Sequence, residues 1–306
     1  MKILIYGFGR MGITHYSILN SIVENAKFTF VEPNKILNFI SRKNIQGIFL
    51  PNDDKVNEPF DLTLITTPPF MHVDLFKRCV NRGDKKIFIE KPFGGHSNFK
   101  LDINFNNLYI GYVLRFNPIV NWVKTNINQQ EIIECNAQYL SNTIEKKPVG
   151  WRNGAYSGVL NEMGSHIIDL INYLFDIEDF KIAERVIVSV ISDVDDIVKI
   201  KLSSKNRIFN FHFNWVDQSI RKPVFNITLK LKDNSIVTFD QQNVVIEKDG
   251  ESNRITVVDI KEEIPFYLRG LDFTKQMLAL IGSGEKMCNC DEALTVNKLM
   301  NEILNK

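Results

Sequence analysis

The pattern of hydrophobic and polar positions changes near the middle of the chain. Up to about residue 115, short apolar runs such as 3–5 and 62–65 alternate with stretches of helical spacing. Runs that are apolar on both faces are typical of parallel strands covered by helices on each side. The first half is therefore predicted to be a doubly wound α/β sheet. Its predicted strands are 2–6, 27–32, 47–50, 61–66, 85–89 and 108–114.

After residue 180 the spacing of apolar residues becomes two. Residues 209–215 and 225–231 alternate apolar and polar side chains, and turn signals follow at 233–234 and 249–250. One apolar and one polar face are typical of an antiparallel sheet covered on a single side. We predict two domains, 1–117 and 118–306, the second an α+β domain with a largely antiparallel, open-faced sheet. Helices are predicted at 271–281 and 291–304.

Composition and charge exclude two classes of binding partner. Of the 306 residues 44% are hydrophobic, and 37 Lys plus Arg balance 36 Asp plus Glu, a net charge of +1. Such a chain lacks the excess of positive charge that proteins use to bind nucleic acid or an anionic membrane. Its opening apolar run is too short for a signal-peptide core, and no run approaches the ~18 residues of a membrane span. We therefore expect a cytoplasmic protein with a small-molecule ligand.

The four cysteines do not predict a metal site. Cys79, Cys135, Cys288 and Cys290 lack zinc spacing. Cys288 and Cys290 are interpreted as ordinary reduced thiols rather than as a metal or redox pair.

A glycine-rich turn stands between the first strand and a helix predicted at 11–22. Glycines at such a position permit a tight turn, close approach of a pyrophosphate and close packing of the helix. Glu32 ends the second strand twenty residues after Gly12, where a carboxylate can bind the adenosine ribose. The alternative is a turn that serves backbone geometry alone. The residues of the turn are Gly7, Phe8, Gly9, Arg10, Met11 and Gly12.

This arrangement predicts a Rossmann dinucleotide-binding domain. The carboxylate of Glu32 favours NAD, because it repels the 2′-phosphate of NADP. Lys35, Arg42 and Lys43 lie nearby and leave NADP possible. Thr66 and Thr67 end the fourth strand at the ligand-binding edge of the sheet, so they either contact the cofactor or, for Thr67, cap the helix that begins at Pro69.

Four motifs together resemble the glucose-fructose oxidoreductase and inositol dehydrogenase (Gfo/Idh/MocA) family. They are the glycine turn, Glu90-Lys91-Pro92, Arg115-Phe116-Asn117-Pro118 and residues 158–169, of sequence GVLNEMGSHIID. The resemblance spans nearly the whole chain. It implies that Lys91 and His166 flank the substrate hydroxyl that faces the nicotinamide, with Glu90 beside the cofactor. It also implies a homodimer or homotetramer formed through the C-terminal sheet.

The chain departs from the family pattern at two places. Glu162 stands four residues before His166, where the family more often has Asp, so the carboxylate is one methylene longer. The interval between Lys91 and Arg115 is short, and the helix usually found after the lysine is expected to be trimmed to 97–102 or absent.

The helix that carries His166 has one ionisable face. At about 100° per residue, Glu162, His166, Asp169 and Tyr173 share a face opposite the apolar residues. A solvated surface is the alternative interpretation. Residues 154–180 contain no Lys or Arg, which favours a site. The candidate substrate contacts are Arg115, Asn117, Trp151, Arg152, Tyr156 and Asp169.

The sequence therefore predicts an NAD(P)-dependent oxidoreductase. It would transfer a hydride between a nicotinamide and a secondary alcohol or ketone of a sugar, sugar nucleotide or cyclitol. His166 would take the hydroxyl proton with help from Glu162, and Lys91 would polarise the oxygen. The alternatives are a family member that reduces a C=N or C=C bond and a dinucleotide-binding sensor without catalysis.

Overall fold

The computed structural model describes residues 1–93, 105–175, 177, 179–260, 270–282 and 285–304. These residues form two compact units. The first contains residues 1–93, 105–113, 270–282 and 285–294, and the second contains the remaining described residues. The sequence placed the division after residue 117 and gave no sign that residues 270–282 and 285–294 belong to the first unit. The short helix expected at 97–102 lies outside the described residues.

Strands and helices are numbered in chain order. The strands are β1 (Lys2–Tyr6), β2 (Lys27–Val31), β3 (Ile48–Leu50), β4 (Leu62–Ile65), β5 (Ile87–Ile89), β6 (Leu108–Ile110), β7 (Ile132–Leu140), β8 (Lys181–Val188), β9 (Ile197–Ser204), β10 (Arg207–Asn214), β11 (Val224–Leu231), β12 (Ile236–Phe239), β13 (Asn243–Lys248), β14 (Glu251–Thr256) and β15 (Cys288–Asn289). The α-helices are α1 (Arg10–Ile22), α2 (Lys35–Asn44), α3 (His72–Arg82), α4 (Pro118–Asn126), α5 (Ser165–Phe175), α6 (Leu271–Ile281) and α7 (Cys290–Leu304).

The first unit is built on a sheet of order β15-β6-β5-β4-β1-β2-β3. Strands β1 to β6 are parallel, and β15 pairs antiparallel with β6 at the edge. Every residue of β4 and β5 is buried, as expected for strands covered on both faces. The Rossmann prediction is confirmed. The sequence predicted a last strand at 108–114, but the strand ends at Ile110, and residues 113–116 form a short 3₁₀ helix instead.

The order of strands brings the predicted cofactor residues to one edge. β1 pairs with both β2 and β4, and β4 pairs with β5. The glycine turn, Glu32, Thr66 and Glu90 each follow one of these four strands at its carboxyl end. In an open parallel sheet this edge is where ligands bind.

The second unit is built on a sheet of order β14-β13-β12-β11-β7-β10-β9-β8. Its neighbouring strands are antiparallel, apart from the parallel pair β7 and β10. Phe209, Phe211 and Phe213 of β10 are buried on one face, whereas Asn210 and His212 on the other are half-buried. The alternating pattern therefore predicted both faces correctly. Among the described residues, no helix is long and apolar enough to cross a membrane.

Candidate active site

Two glycines of the turn are closely packed, and the third is not. A Cβ at Gly12 would lie 2.2 Å from the carbonyl oxygen of Gly7, and Gly7 itself has a φ of +81°, so both positions require glycine. Gly9, the residue before α1, has a φ of −75°. A Cβ there would meet no described atom within 4 Å. The backbone at Gly9 is thus open to close approach of a ligand, and the following helix start provides oriented N–H donors.

Glu32 holds this turn from inside the protein. Its Oε2 accepts a hydrogen bond from the Phe8 N–H at 2.7 Å, and its Oε1 accepts one from the Asn34 N–H at 2.8 Å. The Phe8 ring packs 4.6 Å from the Phe30 ring and 5.2 Å from the Phe49 ring, measured between centroids. Both the N–H and the side chain of Phe8 are therefore engaged by the protein. Each carboxylate oxygen can accept a second hydrogen bond, which leaves Glu32 able to receive a ribose hydroxyl.

The two threonines after β4 differ in their surroundings. Thr66 Oγ1 donates to the carbonyl oxygen of Gly7 at 2.7 Å, so it fixes the turn. Thr67 Oγ1 is buried and has no hydrogen-bond partner among the described residues. Pro68, without a side-chain cap, precedes the short 3₁₀ helix at Pro69–Met71, so Thr67 does not serve as the cap that the sequence left open. A buried hydroxyl without a partner costs about 1–3 kcal/mol, so it fits a ligand that supplies one.

Two histidines contact the residues on either side of Lys91. Lys91 is half-buried, and its peptide bond to Pro92 is cis. His15 Nε2 lies 2.6 Å from Glu90 Oε1. His72 Nδ1 and Nε2 lie 3.1 Å from the Pro92 oxygen and 2.8 Å from the Thr67 oxygen. His72 begins α3, and the sequence did not reveal these contacts of its ring or the contact of His15.

A glycine after β6 makes room for Glu90. A Cβ at Gly111 would lie 2.9 Å from Phe88 Cζ and 3.2 Å from Glu90 Oε2. Nothing in the sequence marks this position, because a glycine at the end of a strand is ordinary.

The signal that could have revealed His15 is its place three residues after Gly12, on the side of α1 that packs against the sheet.

In the second unit, three predicted substrate contacts are engaged inside the protein. Arg115 Nε and one terminal nitrogen donate to Asp169 Oδ2 and Oδ1 at 2.8 and 2.6 Å. Both side chains are 1% exposed. Asn117 caps α4 through its Oδ1 and donates from Nδ2 to the Gln241 oxygen at 3.1 Å. Helical spacing placed Asp169 beside Glu162, but it could not show that the carboxylate is buried against Arg115.

Glu162 and His166 stand out from a buried segment. In the fully described stretch 157–171, all residues except these two are buried, and these two are half-buried. The stretch starts with a π-helical turn, Leu160–Gly164, that leads directly into α5. Such turns are frequent at functional sites.

Polar neighbours surround Glu162. Ser157 Oγ donates to Glu162 Oε1 at 2.8 Å, and an Arg152 nitrogen lies 3.9 Å from Oε2. The Arg152 guanidinium lies 5.6 Å from the centroid of the Trp151 ring. Trp151 and Tyr156 are half-buried and Arg152 is exposed. The structure therefore brings three predicted residues, Trp151, Arg152 and Glu162, into one cluster and adds Ser157, which the sequence interpretation missed.

Asp195 anchors the start of this segment. Its Oδ2 accepts the Leu160 N–H at 2.8 Å, and its backbone oxygen accepts the Val159 N–H at 2.7 Å. Gly158 has a φ of +110°, and a Cβ there would lie 2.1 Å from Asp195 Oδ1. Glycine at this position is thus a requirement of the contact with Asp195.

The comparisons with known proteins agree with this architecture. No family model matches the chain. A curated relative is glucose-6-phosphate 3-dehydrogenase of Bacillus subtilis (strain 168), 25% identical over 237 residues. The match covers 68% of this chain and 65% of the relative, just under two thirds of the relative's length.

Solved structures match over the full chain. A levoglucosan dehydrogenase in complex with NADH has a TM-score of 0.81 at 17% identity and covers 100% of this chain and 96% of its own. A dehydrogenase from Clostridium difficile has a TM-score of 0.74 at 18% identity, with 100% and 99% covered. UDP-N-acetylglucosamine 3-dehydrogenase from Acidithiobacillus ferrooxidans has a TM-score of 0.72 at 16% identity, with 100% and 96% covered. The chain has the fold of these solved dehydrogenases.

The resemblance seen in the sequence is therefore confirmed in the fold. The Rossmann unit carries Glu90-Lys91-Pro92, and the second unit carries the helix with His166. No group of His, Cys, Asp and Glu residues able to hold a metal ion occurs in the part of the chain that the structure describes.

Proposed function

We propose that the protein is an NAD(P)-dependent oxidoreductase that acts on a secondary hydroxyl or keto group of a sugar, sugar nucleotide or cyclitol. The observation that carries the proposal is the edge of the Rossmann sheet. There an open glycine backbone, a buried hydroxyl with no partner among the described residues, and Lys91 follow adjacent strands. The curated relative and two of the solved structures are named as dehydrogenases of sugars or sugar derivatives, which supports this class of substrate.

The residues at this edge fit a dinucleotide. The turn from Gly7 to Gly12 would receive the pyrophosphate, with N–H donors from the start of α1 and the exposed Arg10 beside it. Glu32 would accept ribose hydroxyls and Thr67 would pair with a polar group of the cofactor. We propose NAD as the main cofactor, because the carboxylate of Glu32 disfavours an added phosphate. When bound, the nicotinamide would supply the acceptor or donor of the hydride.

The chain's own residues would handle the proton and the charge. His166 would remove the proton of the substrate hydroxyl, with Glu162 as the carboxylate that supports the resulting positive charge. Glu162 is suited to this because Ser157 and Arg152 hold it at the surface of a buried segment. Lys91 would donate a hydrogen bond to the same oxygen and stabilise its developing negative charge.

Substrate recognition would come from Trp151, Arg152 and Tyr156. An aromatic ring packs against the apolar face of a sugar, and a guanidinium binds hydroxyls, carboxylate or phosphate. We propose that Arg115, Asn117 and Asp169 shape this region from inside the protein and do not touch the substrate. Their charged and amide groups are engaged by each other or by the backbone.

A screen of sugars, sugar nucleotides and cyclitols with NAD and NADP tests the proposal, with absorbance of the reduced nicotinamide as the readout. We expect turnover that is faster with NAD, and a loss of about 10²-fold or more in kcat for Lys91→Met and for His166→Asn. Arg221→Met changes an exposed charge in a loop of the second unit and serves as the control.

Two results would contradict the proposal. Turnover of a C=N or C=C compound with none on hydroxylated substrates would assign the protein to the other substrate class. Tight NADH binding without turnover of any compound would favour the sensor.

We also propose a homodimer or homotetramer formed through the open face of the second sheet. Asn136, Gln138, Asn210, His212 and Asn226 lie on that face, on the central strands β7, β10 and β11. Amide side chains carry both donors and acceptors, so such a face can pair with a copy of itself. Light scattering on the intact chain measures the mass, and a monomer at all concentrations would contradict this proposal.

A cytoplasmic location is proposed as well. The four cysteines are free thiols, three of them buried, which fits a reducing compartment. Fractionation of cells that express the tagged chain would test the location.

A further inference from the structure

Two buried histidines contact the residues on either side of Lys91. His15, from α1, contacts the side chain of Glu90, which precedes Lys91. His72, from α3, contacts the backbone oxygen of Pro92, which follows it. Both histidines are 0% exposed. Lys91 therefore projects from a segment that is held at its two neighbours by side chains from two different helices.

The first contact has a defined hydrogen-bond direction. His15 Nδ1 is buried and has no hydrogen-bond partner among the described residues. Nε2 lies 2.6 Å from a Glu90 carboxylate oxygen, and a carboxylate only accepts, so Nε2 is the donor in this contact. The His15 ring packs edge-on against Phe88, with centroids 5.2 Å apart, so it cannot swing away easily.

The second contact joins two loops at the same sheet edge. The two ring nitrogens of His72 face two backbone oxygens, that of Thr67 after β4 and that of Pro92 after β5. Both oxygens are acceptors, whereas a neutral imidazole carries a single N–H, so the ring donates to one oxygen at a time and packs against the other. The ring thereby lies between Pro92, next to Lys91 in the chain, and the loop that carries Thr67.

We propose that His15 and His72 are positioning residues that fix the direction of the Lys91 side chain. The inference rests on the proposed function for the meaning of that direction, since Lys91 is there the donor to the substrate oxygen. A lysine has four rotatable carbon bonds, so its amine is well placed only when the backbone beneath it is held. A displacement of about 1 Å at a reacting group can lower a rate about 10²-fold.

Conservative and disruptive substitutions separate positioning from folding. His15→Gln places an amide N–H near the position of Nε2 and keeps the contact with Glu90, whereas His15→Leu removes it. His72→Asn places an amide N–H near Nδ1 and keeps the contact with Pro92, whereas His72→Gln keeps only the contact with Thr67. Tyr16→Phe in α1 and Cys79→Ala in α3 are controls, because they alter other buried side chains of the same two helices. The Tyr16 ring packs against Phe28 and Phe30, and the Cys79 sulfur lies beside Arg82.

The first readout does not require turnover. Mass spectrometry measures how fast an amine-reactive acylating reagent modifies Lys91 in the folded protein. The exposed Lys27 is the internal reference. We expect His15→Leu and His72→Gln to change this rate by about threefold or more, because the environment of the amine changes. His15→Gln, His72→Asn and the two controls should stay close to wild type.

The second readout is kinetic and uses the substrate found in the screen. We expect kcat to fall about 10- to 100-fold in His15→Leu and His72→Gln, with the substrate KM changed much less. The conservative variants should recover most of the loss. Unchanged acylation of Lys91 in both disruptive variants would overturn the inference. Equal losses in His72→Asn and His72→Gln would remove His72 from it.

The two readouts also distinguish this inference from the proposed function. If no compound is turned over but acylation of Lys91 responds as expected, the function is wrong and the positioning stands. If turnover is found but neither readout responds to the disruptive variants, the function stands and the positioning is wrong.

Discussion

Arg115 and Asp169 meet in a two-point ion pair that is almost completely shielded from water. The pair joins the 3₁₀ turn before α4 to the middle of α5. A buried charge is tolerated only when it is paired and hydrogen-bonded. The residues therefore hold the second unit together at the helix that carries His166.

Removing one partner of this pair should destabilise the protein strongly. We expect Asp169→Asn and Arg115→Met each to lower the free energy of unfolding by about 3–5 kcal/mol, because the other charge is left buried without its partner. Urea unfolding measures this loss. The double variant Arg115→Met/Asp169→Asn should lose less than the sum of the singles. If Asp169→Asn keeps its stability but raises the substrate KM, Asp169 contacts the substrate after all.

Alanine at two glycines of the first turn should separate folding from cofactor binding. At Gly12 a Cβ would collide with the Gly7 oxygen, so we expect Gly12→Ala to lower both thermal stability and NADH affinity. At Gly9 a Cβ meets no described atom and φ is ordinary, so Gly9→Ala should fold normally and bind NADH about tenfold or more weakly. Thermal unfolding and a fluorescence titration with NADH measure the two effects. Normal NADH affinity in Gly9→Ala would mean that no phosphate approaches this backbone.

Replacement of the Thr67 hydroxyl should affect the ligand more than the fold. Thr67→Val removes a buried Oγ1 that has no protein partner in the described chain, so the free energy of unfolding should stay the same or rise. If the cofactor supplies the missing partner, NADH affinity should fall by about 0.5–1.5 kcal/mol. Calorimetric titration measures the affinity, with Thr66→Val as a comparison expected to destabilise the turn. A stability loss in Thr67→Val without an effect on NADH would contradict this assignment.

Stability should depend on pH through His72. Burial lowers the pKa of His72 below its ordinary value, and the positive charge of Lys91 acts in the same direction. The Thr67 and Pro92 oxygens and the charge of Glu90 oppose this shift without cancelling it. The unfolded chain then binds the proton more readily than the folded one. The stabilising contribution is complete above about pH 6.5, the ordinary value, and is lost as the pH falls from there towards the lowered pKa.

Urea midpoints measured at intervals from about pH 5 to pH 7 test this dependence. We expect His72→Asn to flatten the profile without abolishing it. Burial and the nearby Lys199 also lower the pKa of His212, so that residue contributes a slope of the same sign. An unchanged profile in His72→Asn would show that His72 keeps its ordinary pKa in the folded protein.

Much of the fold could be predicted from the sequence. The runs around Ile3 and Leu64 are apolar at successive positions because both faces of their strands are covered, and the alternation from Phe209 to Phe213 reflects a sheet covered on one side. These patterns are local and repeat at the period of the backbone, so the chain displays them directly. The glycine turn could also be placed, since only a few residue types fit a turn with positive φ.

The candidate site could be predicted only in part. The motifs around Lys91 and His166 are contiguous in the chain, and they placed these residues on the correct elements. The partners of those residues come from distant segments: His15 reaches Glu90 across 75 positions, and Arg115 reaches Asp169 across 54. No local pattern marks such a pairing. Helical spacing put Asp169 on an open face because it reports direction around an axis and not what packs against that face.

The sequence by itself determined the type and order of the main elements, the two kinds of sheet, the glycine turn and the residues that carry ionisable groups. Tertiary structure decided which of those groups remain half-exposed, as Glu162 and His166 do, and which are consumed by internal pairing, as Arg115 and Asp169 are. It also placed residues 270–282 and 285–294 in the first unit. The physical reason is that burial and pairing depend on surfaces brought together from remote parts of the chain, whereas backbone periodicity depends only on neighbours.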